Sequence, residues 1–238
     1  MEPVTTPALL AISHGTSSPE GQAAVAALVD AVAARLPDVT VRLGHVDVQQ
    51  PDVAASLGSL PEGQPVVIVP LLLSAGYHVR IDLKKQSAGH DGVTIAKALG
   101  PDPRLADRLA ARLAQLRPDS AGAIVLAVAG SSDNRANDDC RVVGAMLAER
   151  VGRPVEVGFL AAAEPRLGTA VANAREAAGT AIVANYLLAP GYFHDLAARV
   201  SGVSPVARPL LDDDEPAASL VDIVVDRYRA AVTASKSL

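Results

Sequence analysis

VVIVPLLLSAGY at residues 66–77 and AIVANYLLAPGY at residues 181–192 are one phrase written twice: an apolar run, a Leu-Leu pair and a Gly-Tyr turn. After Gly-Tyr the copies part. His78 follows the first, Phe193 follows the second, and a histidine returns one position later as His194. Working outward, ALLAISHGTSS (8–18) falls on IVLAVAGSSD (124–133), pairing Gly15 with Gly130 and Ser17 with Ser132. VRLGHVDVQQP (41–51) falls on VEVGFLAAAEP (155–165), pairing Gly44 with Gly158 and Pro51 with Pro165. Three strand-like phrases recurring in the same order mark an internal duplication, which decides the fold before any single motif does.

Helical patterns separate the phrases. GQAAVAALVDAVAARL (21–36) and NDDCRVVGAMLAERV (137–151) repeat apolar residues at i, i+3, i+4 and i+7. LADRLAARLAQL (105–116) and SLVDIVVDRYRAAV (219–232) close the two halves, with PDP (101–103) and DEP (214–216) as turn and helix-start signals. Apolar strands alternating with helices imply βαβ units and a parallel sheet covered on both faces. The expected fold is therefore two tandem flavodoxin-like α/β domains, residues 1–118 and 119–238, joined near RPDSAG (117–122). Each should hold a mainly parallel four-stranded sheet, and a pseudo-two-fold axis should relate them as in a fused homodimer.

Composition narrows the partners. The 238 residues are 50% apolar but only 3% aromatic, and the formal net charge of −5 gives no long-range attraction to nucleic acid or anionic lipid. The one cysteine, Cys140, excludes an intrachain disulfide framework and a multi-cysteine metal site, and its helical context predicts a small buried hydrophobe. The opening MEPVTTPALL has neither a basic stretch nor a long apolar run, and no segment reaches the roughly 18 apolar residues of a membrane span. A cytoplasmic protein is the expectation. No GxGxxG, GxxxxGK[ST] or GxSxG phrase is present, so nucleotide binding and serine hydrolysis have little support.

In an open parallel sheet the ligand crevice lies beyond the C-terminal strand ends, where strand order reverses. With the first strand between the second and third, their tips bring His14, the His45/Asp47 pair and His78 toward one edge. Imidazoles with a carboxylate suit a divalent transition metal. His14 leads into the small-residue turn Gly15-Thr16-Ser17, and Ala75-Gly76 allows a sharp turn before His78. His45 has Phe159 as its counterpart, which marks a packing position, and His90 sits in a turn-like, solvated SAGHDG. LDDDEP (211–216) reads as a charged helix entry rather than an acidic metal site.

SHG after the first strand, a carboxylate near the end of the second, PLLLSAGYHVRIDL after the third and LGPDPRLADRL beyond it together resemble the sirohydrochlorin chelatase family of cobalto- and ferrochelatases. The resemblance spans 8–117 and continues more weakly through 123–235, which implies the two-lobed class II chelatase architecture in one chain. It implies insertion of Fe2+ or Co2+, a metal substrate rather than a tightly bound cofactor, into sirohydrochlorin on the way to sirohaem or cobalamin. The family's catalytic, metal-binding histidines fall on His14 and His78, and its second-strand acid, usually glutamate, falls on Asp47, one methylene shorter. Without an MxCxxC motif or a His-rich stretch, no iron–sulfur cluster is expected. Ser17, Tyr77 and Arg80 are the candidate substrate contacts, with Lys84, Lys85 and Arg135 as further cations for a carboxylate-rich macrocycle.

In the second half Ala129, Ala161 and Phe193 replace His14, Asp47 and His78. That half is expected to keep the scaffold without the catalysis, in a monomer with pseudo-dimeric lobes, and His194 is expected at the surface. A non-catalytic metal or tetrapyrrole carrier on the same scaffold is the competing reading.

Overall fold

The computed structural model describes residues 6–74, 77–116 and 122–235; the side chains of residues 77–80 lie outside the description. In the first half, β1 (Ala8–Ser13), α1 (Pro19–Arg35), β2 (Val41–His45), α2 (Val53–Gly58), β3 (Val66–Pro70), α3 (Tyr77–Gln86), β4 (Val93–Ile95) and α4 (Pro103–Gln115) follow in order. The second half runs β5 (Ala123–Val128), α5 (Asn134–Val151), β6 (Val155–Phe159), α6 (Leu167–Ala178), β7 (Ala181–Tyr186), α7 (Tyr192–Ser201) and α8 (Ala218–Ser235). The helix starts follow from the sequence. Ser18, Asp102 and Asp133 accept hydrogen bonds from Gly21, Arg104 and Arg135 backbone N–H groups, and Pro stands in the first turn of α1 and α4.

Both sheets are parallel, in the orders β2-β1-β3-β4 and β6-β5-β7. The second sheet departs from the four expected strands. Its edge reduces to a single bridge, Val183 to Val206, in place of the three-residue β3–β4 pairing of the first half. Pro205 and Pro209 flank that bridge, and a residue without an N–H cannot extend a ladder. Residues 92–96, GVTIA, contain no proline and pair normally.

Side-chain alternation along the strands divides the core into three. Leu9 and Ala11 of β1, Val67 and Val69 of β3, Ile124, Leu126 and Val128 of β5, and Ile182, Ala184 and Tyr186 of β7 all join one continuous cluster. Leu10, Ile12 and Ile68 face a separate cluster under α2 and α3, while Val125, Ala127 and Val183 face a third under α6 and α7. The two sheets thus turn their inner faces toward a shared helical layer. Within it the closing helices are exchanged: α8 packs on α1 and β3, and α4 packs on α5 and β7.

Charged residues fix the exchange. Arg112 of α4, 1% exposed, pairs with Asp212 at 2.6 Å and donates from Nε to the Pro209 carbonyl at 3.0 Å. Arg227 of α8 donates to the Ala98 and Leu99 carbonyls and pairs with Asp102 at 3.3 Å. The acidic LDDDEP stretch is therefore neither metal site nor plain helix entry, for Asp212 is the partner of a buried arginine. No described helix is long and apolar enough to cross a membrane.

Candidate active site

The C-terminal ends of β1, β3, β5 and β7 open onto one cleft of about 430 Å³ between the halves, within the range of small-molecule sites. Its N-terminal wall comprises His14 to Ser17, Val48 and Leu71 to Ser74; its C-terminal wall comprises Ala129, Gly130 and the run from Tyr186 to His194. The walls meet closely. A Cβ on Gly21 of α1 would overlap the Pro190 carbonyl, and one on Gly191 would lie 2.9 Å from Thr16 Oγ1. Beneath the floor, the Tyr186 hydroxyl donates to the Leu73 carbonyl at 2.9 Å, and burial raises its pKa well above the usual phenol value, so it remains a donor.

His14 is exposed at the tip of β1. The loop that presents it is fixed from both sides. Gly15 has φ 94°, and a Cβ there would overlap the Asp47 carbonyl oxygen, so only glycine admits the crossing. Asp47 N–H donates to the His14 carbonyl at 3.0 Å, and Thr16 N–H donates to Gln49 Oε1 at 2.8 Å. Asp47 is thereby held against the His14 loop, and the structure brings these two predicted residues together through their backbones. Its exposed carboxylate accepts from Val48 N–H at 2.7 Å, and Val48 has φ 66°, a strained value for a β-branched residue.

Ser17 is exposed and lines the cleft. Tyr77, His78 and Arg80 occupy the first turn of α3, the helix that follows β3 in the chain, but their side chains lie outside the described residues. His45 is buried and its Nδ1 hydrogen-bonds Ser13 Oγ at 2.8 Å; burial lowers its pKa, as suits a neutral packing residue. Cys140 is buried below the floor, where burial pushes its thiol up to about 11. No group of three or more His, Cys, Asp or Glu in a metal-holding arrangement occurs among the described residues.

Two expectations change. Arg135 does not line the cleft but lies exposed beside Asp133, and no lysine or arginine is among the described lining residues. His194 is not a surface residue: it lines the cleft, half-buried, with Nδ1 2.6 Å from Nδ2 of the fully buried Asn185. Asn185 was missed because it sits in an apolar strand phrase, opposite Pro70 in the repeat; a polar residue breaking a buried strand was the available signal. Tyr192 and Phe193 were missed as lining residues too; their rings meet edge to face, centroids 5.5 Å apart, and Tyr192 is 68% exposed.

Matched against known protein families, residues 8–116 and again residues 123–229 fit the CbiX family model. The chain belongs to the CbiX family. It is 28% identical over 106 residues to a sirohydrochlorin cobaltochelatase of Sulfolobus acidocaldarius, covering 42% of this chain and 85% of that protein. It is 30% identical over 118 residues to a sirohydrochlorin cobaltochelatase of Methanosarcina barkeri, covering 42% of this chain and 88% of that protein. Among solved structures it resembles SirB from Bacillus subtilis with Fe3+ (TM-score 0.77, 18% identity, 97% of both chains). It also resembles CbiX, described as the terminal enzyme for biosynthesis of sirohaem in denitrifying bacteria (TM-score 0.69, 21% identity, 94% of this chain and 99% of that one). At these identities the structures speak for the shared fold.

Proposed function

We propose that the protein is a chelatase that inserts Fe2+ or Co2+ into sirohydrochlorin, with its metal-handling residues in the N-terminal repeat. The observation that carries this is the position of His14: an exposed imidazole on a doubly tied loop, lining a cleft that both CbiX-family repeats build. The curated relatives that match the chain are sirohydrochlorin cobaltochelatases.

Metal insertion demands a weakly held ion and acceptors for two pyrrole protons. In this reading His14, His78 and Asp47 hold the arriving ion; neutral imidazoles ligate and then release it as macrocycle nitrogens replace them. The largely apolar walls, Leu71 to Leu73 against Leu187 to Ala189, receive the flat macrocycle and exclude water from its centre. Its carboxylates project to the rim, where Ser17, Tyr77 and Arg80 contact them. The chain works in the cytoplasm as a monomer whose two repeats supply the two walls.

The test follows sirohydrochlorin absorbance with Fe2+ or Co2+, with and without protein. Acceleration that disappears in His14→Ala and His78→Ala supports the reading. Binding of metal or macrocycle with no acceleration for any divalent ion would replace it with a carrier.

A further inference from the structure

His194 and Asn185 form a polar pair in the half that lacks the site histidines, and nothing in the metal-handling set uses it. Asn185 lies in β7 with 0% exposure, one residue before the strand's end. One end of its carboxamide meets His194 Nδ1 at 2.6 Å, and its Oδ1 has no hydrogen-bond partner. A buried unpartnered amide oxygen costs stability, so a polar side chain at this point calls for a use. His194, in the first turn of α7, lines the cleft with the rest of its ring. Among the described residues, the bond to Asn185 is the hydrogen bond its ring makes, which leaves Nε2 as the nitrogen available to a ligand.

We propose that His194, oriented by Asn185, accepts a pyrrole proton from the macrocycle on the C-terminal side of the cleft. This rests on the chelatase reading and deepens it. Insertion breaks two pyrrole N–H bonds, and the electron pair left on each nitrogen forms a bond to the metal. Nε2 of His194 takes one proton and becomes N–H, giving an imidazolium; the other proton leaves on the N-terminal side, to His14 or solvent. For Nε2 to accept, Nδ1 must carry hydrogen, and the partner of Nδ1–H must be an oxygen. Asn185 supplies it when the carboxamide turns by a half rotation, which presents Oδ1 in place of Nδ2. An amide can face either form of the ring, whereas the counterpart of Asn185 in the other repeat, Pro70, can face neither. Burial also lowers the pKa of His194, with Asp195 pulling it back up, so the ring is held toward its neutral, accepting form.

His194 is a catalytic residue in this scheme and Asn185 a positioning residue. The experiment measures kcat and KM for Co2+ insertion in the full chain, comparing the unaltered protein with His194→Ala, His194→Gln, Asn185→Ala and Asn185→Asp. Expected is a kcat loss of about 10²–10⁴-fold in both His194 variants, the usual weight of one proton acceptor, with KM for sirohydrochlorin within about 3-fold. Added imidazole should restore part of kcat in His194→Ala and leave the unaltered protein unchanged at the same metal concentration. Asn185→Ala should lose kcat, and Asn185→Asp, which keeps an oxygen for Nδ1–H, should recover most of it. His194→Gln keeps a polar side chain on an accessible helical turn, so its thermal transition should match that of the unaltered protein and separate chemistry from folding. A kcat within 3-fold of normal in both His194 variants, or a loss confined to KM, or no imidazole rescue, overturns the assignment. Absence of insertion by the unaltered protein would instead overturn the chelatase reading itself.

Discussion

The two repeats carry the same loop machinery around different chemistry. Gly15 and Gly130 have φ 94° and 86°, and a Cβ on either would overlap the backbone oxygen of the facing loop, Asp47 in one half and Ala161 in the other. The unusual positive φ of Val48 recurs at Ala162, and the tie from Gln22 Nε2 to the Thr16 carbonyl recurs from Asn137 Nδ2 to the Ser131 carbonyl. Yet the tips differ completely: His14 faces Ala129 across the repeat, and Asp47 faces Ala161. What is held in common is therefore the demand of the backbone. A strand-to-helix turn that crosses a neighbouring loop needs glycine whether or not a metal ever arrives, whereas the tip side chain projects outward and is free to change.

The sharpest break of this comparison is removal of the tips. On the proposed assignment, His14→Ala or His78→Ala should lower kcat for insertion by at least about 10²–10⁴-fold, because each would remove a metal ligand and proton acceptor together. His14→Ala should shift the thermal transition little, since His14 is exposed. A kcat within 3-fold of normal in both variants would move the chemistry out of the N-terminal repeat.

Next in size are changes to the exchanged helices, which serve both halves alike. Arg112→Ala removes the buried partner of Asp212 and leaves it only the exposed Arg208 at 2.9 Å, and removal of one member of a buried pair costs up to about 3–5 kcal/mol. Chemical denaturation should show one cooperative transition moved to lower denaturant, not loss of one half alone, because α4 covers β7 and α8 covers β3. Two separated transitions would contradict the shared core. Gly15→Ala and Gly130→Ala should each destabilise by roughly 1–3 kcal/mol through strain at positive φ, with more from the overlap. At a temperature where both variants are folded, only Gly15→Ala should lose insertion on the proposed assignment, since the residue before Gly130 is Ala129 in place of His14.

Strand order, alternation of layers and the paired glycines were legible in the sequence, because each follows from local periodicity or from a backbone constraint with one residue as its answer. The helix exchange was not. LADRLAARLAQL and SLVDIVVDRYRAAV announce an apolar stripe, and such a stripe fits either sheet; only the buried Arg112 and the partly buried Arg227, reaching across to the other half, decide between them. The cleft was legible where it used the repeat's own register, as at His14. It was not legible at His194, since residues after Gly191 turn into α7 and helical rotation, not strand alternation, sets which of Tyr192, Phe193 and His194 look inward.

Acid should loosen both halves together. Burial pushes the Asp102 carboxyl up, but its hydrogen bonds from Arg104 and the charges of Arg104 and Arg227 outweigh that, so its pKa is lowered below the ordinary 3.8; Asp212 is lowered in the same way against Arg112 and Arg208. Their contribution is fully present above about pH 4 and disappears as pH falls through the depressed folded values, where the native carboxylates must take up protons. The thermal transition should thus drop between about pH 4 and pH 2, and the drop should be shallower in Asp102→Asn.

The smallest effect separates the lobes most finely, at the aromatic pair of the C-terminal wall. Tyr192 and Phe193 occupy the place that Tyr77 and His78 hold in the other repeat, and their rings stand at the cleft where a flat conjugated ligand would lie. An aromatic contact is worth about 0.5–1.5 kcal/mol beyond its burial, so Tyr192→Ala should raise KM for sirohydrochlorin by roughly 3- to 10-fold and leave kcat nearly unchanged. Phe193→His would write the first repeat's histidine into the second. If the tip residue alone made the site, this variant would gain metal binding in the second half; with alanine at 129 and 161, and with His194 one position on, where helix neighbours do not face each other, the added imidazole should hold no ion tightly, and calorimetry with Co2+ should show no added tight site.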